Sequence, residues 1–441
     1  MNQTDRIFRS LFVALAVGLG WGIRGDFGHN LGAMYPGAAL GLGFAFATGQ
    51  KSMFRWMPVL GLIGGLGIAL GGSMSYGLLH GYAKADSLIN YAYGFFTLIL
   101  QGGAWGCFGC AFIGLALEKD RLKASELFAL ILTIFLCGTA VYAVIVHGVG
   151  FHINPDRSDL SIGFTGGVIG LFLWLAFHDK PMGLRGAVLG YVGFGLGMSL
   201  GRLLANASYA LPFAINHWNI MEVMCGFIGG FIFTFGMLGK KFDDLPKNDS
   251  FPLLGVYGIF YCLFGIPFLH YIRRVNPAEK LEEWGKTITG YGYTNPDTII
   301  HITMICVYAV CVLAFLSALV WLHFYIKNKT DHVAFPILSL SLFMLLIQYL
   351  HAFYFLYPFH IMHNVNLVFL IVMGIYAFFS KNEEYIIPED EYDYFLWGKW
   401  IAGLIVAYIV IILLAGVING EETMKSACTR FPVWSWREGT N

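Results

Sequence analysis

The sequence predicts an all-α, polytopic integral membrane protein, and three observations carry that fold class. Of its 441 residues, 57% are hydrophobic and only 12% charged, with a mean hydropathy of +0.66, the balance of a chain that lives in lipid. Apolar runs of about 20 residues recur along the whole length, and about thirteen of them are long enough to cross a hydrocarbon layer about 30 Å thick as helices. The third observation is a repeat: Leu31–Lys51, Leu100–Asp120, Leu160–Lys180 and Ile220–Lys240 superimpose without a gap.

Each of these stretches is an apolar run that ends in a charged cluster. The same two places hold small residues, Gly37/Gly41, Gly106/Cys110, Gly166/Gly170 and Gly226/Gly230. At i,i+4 such residues share one helix face and let another backbone approach. The segments ahead of the runs repeat as well, since Gly18-Leu19-Gly20, Gly65-Leu66-Gly67 and Gly195-Leu196-Gly197 sit at comparable depth, and only Thr133–Ala140 lacks that signature. A period of roughly 50–70 residues with two helices per unit reads as one hairpin duplicated in tandem. Residues 1–241 are therefore expected to form four tandem, glycine-rich two-helix transmembrane repeats.

Taken in order, Arg6 and Arg9 followed by Leu11–Leu19 have the basic-then-apolar look of a secretory signal. The alignment of Gly18-Leu19-Gly20 with later copies makes this run the retained first helix instead. After the repeats, Asp243-Asp244-Leu245-Pro246-Lys247-Asn248-Asp249 is polar and helix-breaking, so 242–251 is expected to be a cytoplasmic linker. Glycine then gives way to aromatic and branched residues. Spans near Pro252–Tyr271, Thr298–Ile326, Val333–Leu356, Phe359–Phe379 and Trp397–Val417 would make 252–417 a five-helix, aromatic-rich region. Ala278–Ile288 has mixed charge and one apolar edge, the pattern of a helix lying on the outer surface. Asn382–Asp393 is an acidic loop, and 418–441 an outer tail in which Trp434 and Trp436 resemble interfacial anchors.

Orientation follows from the cations. Arg6/Arg9, Lys51/Arg55, Lys119/Arg121/Lys123, Lys180/Arg185 and Lys240/Lys241/Lys247 mark alternate ends of the first eight helices, which places those ends and the N-terminus in the cytoplasm and the C-terminus outside. A bacterial inner membrane is the expected location. The opposite connections, Arg24–Asn30, His80–Asn90, His147–Asp159 and Arg202–Trp218, carry fewer cations and more His, Asn and Asp.

Several function classes are excluded. Net charge is +0, so nothing indicates a nucleic-acid partner; the partners implied are membrane lipid and a small-molecule solute. The eight cysteines lie mostly inside apolar runs and outline no disulfide framework, and Cys107 and Cys110 read as small hydrophobes within a span. His147, His152, Asp156, Arg157 and Asp159 crowd one loop, and His351, His360 and His363 form a second imidazole group, but neither has a metal-ligand spacing. There is no phosphate loop, zinc helix or serine nucleophile elbow. Gly20–Gly25 fits G-x-G-x-x-G without a strand before it, so no dinucleotide site is read there. No metal and no cofactor are expected.

The candidate site comes from charges added to the repeat. Glu222 stands about one turn inside its helix and four residues before Gly226, on the small-residue face, where the other copies have Ala33, Gly102 and Ile162. A carboxylate at that depth is costly and is either paired or functional. Arg24 and Arg202 follow their Gly-Leu-Gly signatures by six and seven residues. Were the four hairpins to close into a ring, Trp21, Arg24, Asp26 and His29 would stand beside Arg202, Asn206, His217 and Glu222 as a substrate-binding set. Guanidinium forks bind a carboxylate or phosphate through two parallel bonds. The plain alternative is an internal salt-bridge lattice pinning helix ends.

Three readings follow. One is a transporter or permease for a small polar, anionic solute. Another is a membrane-embedded enzyme acting at the outer face on a lipid-linked or periplasmic glycan or acyl substrate, with His29 or His217 as base and Glu222 as acid. A third is a scaffold for a membrane partner. The absence of a nucleophile motif favours transport over the enzyme.

Overall fold

A computed structural model describes residues 3–74, 76–154, 159–212, 215–238, 252–269, 277–290, 292–327, 368, 394–420 and 424–431, and among these the chain is helical with no strand. Eight of the described helices are long and apolar enough to cross a membrane, and three shorter apolar helices accompany them. The architecture is that of an integral membrane protein.

The helices group into two compact units, Met1–Gly72 with Leu238–Ile387, and Ser73–Met237 with Pro388–Asn441. The first contains α1 (Gln3–Phe27), α2 (His29–Gly32), α3 (Met34–Ala47), α4 (Lys51–Phe54) and α5 (Met57–Gly71). It continues with α12 (Pro252–Phe260), extended by a π turn at Tyr261–Gly265, α13 (Pro277–Gly290) and α14 (Pro296–Ile326). The second contains α6 (Gly77–Tyr82), α7 (Leu88–Ala116), α8 (Ala124–Tyr142) with a π turn at Ala143–Gly148, α9 (Leu160–Phe177), α10 (Pro181–Ser208), α11 (His217–Met237) and α15 (Tyr394–Ile418).

In the first unit, α3 packs between α1 and α5. Gly37 and Gly41 bring α3 onto the backbone carbonyls of Gly64 and Leu60 in α5. Arg9 closes the far end by donating from Nη1 to the Ala47 carbonyl at 2.9 Å, a cation on the last turn of a helix whose carbonyls lack partners. The run Leu31–Lys51, expected as one helix, is divided among α2, α3 and α4. Pro36 has no N–H to offer the Gly32 carbonyl, which separates α2 from α3. Gly49, at φ 68°, then ends the run in a left-handed turn. With 14 and 15 residues, α3 and α5 are about 21–23 Å long, short of a full hydrocarbon thickness.

The second unit is organised by α7 and α10, which run antiparallel in close contact, with α11 on the other side of α10. A Cβ built on Gly102 would stand 2.5 Å from the Phe194 carbonyl oxygen, Gly106 and Gly190 meet each other's carbonyls, and Gly186 and Gly114 meet those of Cys110 and Met182. Each advance of four along α7 is answered by a retreat of four along α10. On the α11 side the same ladder continues, with Gly197 against the Cys225 carbonyl (2.6 Å) and Gly201 against that of Met221 (2.7 Å). Between α8 and α9, Gly166 and Gly170 face the carbonyls of Cys137 and Thr133 at 2.7 and 2.9 Å. The repeat glycines on α3, α7 and α9 thus serve helix contacts, but with partners that differ: α3 meets α5, α7 meets α10 and α9 meets α8. The helices of the second sequence hairpin, α5 and α7, belong to different units.

Residues after α15 fold back onto their own unit. The Cys428 N–H donates to the Gly81 carbonyl at 3.0 Å, and Asn90 Oδ1 accepts from the N–H groups of Arg430 and Phe431 at 2.7 and 3.1 Å. Arg430 Nη1 reaches the Tyr93 hydroxyl (2.7 Å) and the Ile153 carbonyl (3.1 Å). The tail therefore lies at the same helix ends as the connections His80–Asn90 and His147–Asp159.

The surface segment Ala278–Ile288 is helical within α13, with Trp284 and Ile288 buried along one edge. The linker, Val333–Leu356, Phe359–Phe379 apart from Val368, Asn382–Asp393, the imidazoles of His351, His360 and His363, and Trp434 with Trp436 lie outside the described residues.

At the other end of the α7–α10 pair, Glu118 accepts the Gly183 N–H at 2.9 Å, capping the start of α10. Burial pushes its carboxyl from 4.5 up to about 7, against the opposing pull of the Gly183 and Met182 N–H groups and of Lys180. The folded protein therefore holds this proton more tightly than the unfolded chain, so stability falls as pH rises from about 4.5 to about 7. Thermal unfolding in detergent at pH 5 and pH 8 should show Glu118→Gln gaining on the wild type at the higher pH. An unchanged difference between the two would remove Glu118 as the cause.

Candidate functional site

The close approach of α10 to α11 at Gly201 sets the position of the next residue, Arg202, which is only 1% exposed. Its Nε donates to Asn206 Oδ1, one turn further on, at 2.7 Å. Asn206 Nδ2 in turn donates to the Ala83 carbonyl and to Asn419 Oδ1, both at 2.9 Å. Asn419 Nδ2 completes the net by donating to the carbonyls of Ala83 (3.1 Å) and Ala85 (2.8 Å). Two asparagines thus hold the α6–α7 connection from both sides, and Lys84 between those carbonyls is fixed close to Arg202.

Lys84 is 7% exposed, donates from Nζ to the Lys425 carbonyl at 3.0 Å and lies over the Tyr209 ring at 5.7 Å. Burial holds its ammonium below the ordinary lysine range, the Arg202 cation lowers it further, and Tyr209 partly opposes both. Neither cation is paired with a carboxylate among the described residues, and Arg202 Nη2 is buried without a hydrogen-bond partner. His217 closes this side, stacked on Tyr209 at 3.9 Å with its Nδ1 2.6 Å from Ser208 Oγ.

Glu222 sits in an adjacent aromatic group of the same unit. Its Oε1 accepts from the Tyr76 hydroxyl at 3.3 Å. The Tyr76 ring stacks on Trp218 at 5.8 Å and meets the edges of His80 and Trp105 at 5.1 and 5.8 Å.

Of the residues singled out from sequence, Arg202, Asn206 and His217 come together, with Glu222 beside them in the aromatic group. Trp21, Arg24, Asp26 and His29 belong to the first unit, where buried Arg24 lies over the Trp21 ring at 5.4 Å and His29 is exposed. Nothing is described of the Asp26 side chain. Sequence reasoning missed Lys84, Asn419 and the aromatic residues Tyr76, His80, Trp105 and Trp218. Lys84 carried one signal: it is the cation of His80–Asn90, a connection placed on the cation-poor side.

His152 and Asp159 form a second polar pair, Nδ1 to Oδ2 at 2.6 Å, and the other Asp159 oxygen accepts the Asn154 N–H at 3.1 Å. That carboxylate holds its own loop together. Among the described residues no group of three or more His, Cys, Asp or Glu is placed to hold a metal ion.

These features define a class, a helical integral membrane protein with a buried pair of cations at one end of its glycine-packed helices. No known protein family, curated protein or solved structure matches the chain.

Proposed function

We propose that the chain is a membrane transporter or permease for a small polar solute bearing a carboxylate or phosphate. One observation supports this above all: Lys84 and Arg202 are buried together with no carboxylate among the described residues to neutralise them. Desolvating one such ion costs several kcal/mol, about the limit a fold tolerates without compensation, and two of like sign repel as well. An arriving oxyanion removes both penalties. Arg202 offers a guanidinium edge and Lys84 a mobile point charge, the combination that holds a carboxylate or phosphate.

Proteoliposomes carrying the purified chain test the reading with a panel of labelled carboxylates and phosphate esters. Saturable, protein-dependent uptake of at least one is expected, and no flux of any from monodisperse protein would remove it.

The Ser208–His217 contact supports a second reading, a membrane-embedded acyl or phosphoryl transferase or hydrolase with Ser208 as nucleophile and the cations as oxyanion clamp. Ser208 Oγ also donates to the Ala205 carbonyl at 2.7 Å, however, and no carboxylate orients His217 among the described residues. Under the transport reading Ser208→Ala leaves uptake intact; under the enzyme reading it abolishes turnover of a lipid or glycan substrate.

The finer topology, four tandem hairpins and about thirteen spans in a bacterial inner membrane with the N-terminus inside, belongs to the same proposal and rests on the cation clusters and the span criterion. Because the tail folds onto the connections placed outside, Cys428 should react with an impermeant thiol reagent in intact spheroplasts. Labelling only after lysis would reverse the orientation.

A further inference from the structure

We propose that the tail segment Met424–Phe431 is a gate over Lys84 and Arg202, in which the Lys425 carbonyl holds the place of the solute's anionic group until the solute displaces it. The gate rests on the anion reading above and adds the regulation of that site.

Lys425 is held between two anchors. Ahead of it, α15 ends at Asn419, whose amide joins Asn206 and the carbonyls of Ala83 and Ala85. Gly420, at φ 64°, then turns the chain off the helix in the left-handed conformation that glycine adopts freely. Beyond Lys425, the Cys428 N–H is bonded to the Gly81 carbonyl, and Asn90 takes Phe431 in both directions, Oδ1 accepting its N–H at 3.1 Å and Nδ2 donating to its carbonyl at 3.4 Å. Arg430 is the outermost clasp. It donates to the Tyr93 hydroxyl and to the carbonyls of His152 and Ile153, and lies over the rings of Tyr93, Phe151 and Phe431 at 5.0, 4.8 and 5.6 Å.

Between the anchors the cover is a single segment of chain. Lys425 and Ser426 are exposed, while Lys84 beneath them is 7% exposed. Ser426 is left-handed at φ 63°, a conformation that costs a residue with a side chain and persists only where its surroundings hold it. The closed tail is thus kept shut by its contacts.

The contact at the centre is the one an anion improves. Lys84 Nζ donates to the Lys425 carbonyl at 3.0 Å, but a neutral carbonyl carries only part of a charge, and a bond between two ionised partners is about twice as strong. An oxyanion that reaches Lys84 and Arg202 Nη2 therefore outcompetes the carbonyl and leaves the tail with its distal anchors alone. Because the solute binds the open form better, it shifts the tail toward opening.

The test uses the purified full chain in nanodiscs and phosphate as the probe. Two quantities are read, the thermal midpoint and the rate at which a charged thiol reagent modifies Cys428, which is partly buried against Gly81. Phosphate should raise the midpoint saturably and speed Cys428 modification about tenfold, since binding and release are linked reciprocally. Arg430→Ala should speed the modification without phosphate and lower the phosphate concentration needed about tenfold, by raising the competent fraction. A Cβ added at Gly81 would stand 3.0 Å from Cys428 Cβ, against about 3.5–4.5 Å in a disulfide, a difference the exposed tail can supply. Oxidised Gly81→Cys should therefore lose the phosphate response and regain it on reduction, while Gly81→Cys with Cys428→Ser should ignore the oxidant. If Gly81→Cys does not fold, the Cys428 rates of the wild type and Arg430→Ala decide alone. A phosphate response in Arg430→Ala only also supports the gate, the wild-type tail then excluding phosphate. A phosphate response that leaves the Cys428 rate unchanged or slower, or that persists in the oxidised pair, overturns the gate and leaves the anion reading standing. No phosphate response in either the wild type or Arg430→Ala overturns the anion reading instead.

Discussion

Gly106→Ala should abolish recovery of folded, monodisperse protein, although alanine is the better helix former by about 0.5–1 kcal/mol. The added methyl would meet the Gly190 carbonyl oxygen and the Phe194 side chain, and Gly190 meets the Gly106 carbonyl reciprocally. A flexible side chain could turn away; a backbone carbonyl within its own helix cannot. The pair would have to separate along its length, forfeiting contacts from Gly102 to Gly114, and in lipid close packing is what holds helices together. Gly403→Ala is the matched control, because nothing lies within 4 Å of a Cβ there. It should leave recovery unchanged or raised. Equal recovery of the two variants would show that glycine density is not what packs α7 against α10.

On the transport reading, Arg202→Ala should lower anion uptake about ten- to hundredfold, the span that corresponds to losing a charge-assisted bond of about 1.5–3 kcal/mol. Lys84 remains, so the site keeps part of its attraction. Arg202→Lys preserves charge but not the planar fork, and uptake should fall by a smaller factor with weakened discrimination between carboxylates and spherical anions. Folding is a separate matter, because Arg202 Nε satisfies Asn206 Oδ1, while Asn206 Nδ2 holds Ala83 and Asn419 independently. Monodispersity on gel filtration distinguishes a lost site from a lost fold. Unchanged uptake in a folded Arg202→Ala protein would remove the cation pair from the mechanism.

Helix content and membrane character were legible because apolar runs of spanning length leave few alternatives in a bilayer, where every backbone group must be satisfied within its own helix. The glycine positions were legible too, since i,i+4 spacing fixes a face whatever the partner. Which helix sits on that face was not. Gly106 meets Gly190 across 84 residues, and Gly41 meets Leu60 across 19, and a small-residue stripe carries no label for its partner. The break at Pro36 could have been read, had the missing N–H been given more weight than the apolar run around it.

For the site, Arg202, Asn206, His217 and Glu222 were visible as polar residues near the ends of apolar helices. The rest needed tertiary structure. Nothing local to Lys84 shows its burial, which comes from Asn206 and Asn419 fixing its connection against α10. Asn419 itself comes from the far end of the chain, brought in by α15 packing on α10 and α7. Nothing local marks Tyr76 or Trp105 as lying near Glu222, a proximity that only the tertiary structure supplies.

The most direct measurement is an anomalous difference map at the selenium edge from crystals of the full chain grown with selenate, a tetrahedral oxyanion. The account expects a peak whose oxygens fall within about 2.7–2.9 Å of both Lys84 Nζ and Arg202 Nη2, the reach of charge-assisted bonds. Ordered Lys84 and Arg202 side chains with no peak between them, or with a protein carboxylate in its place, would contradict it.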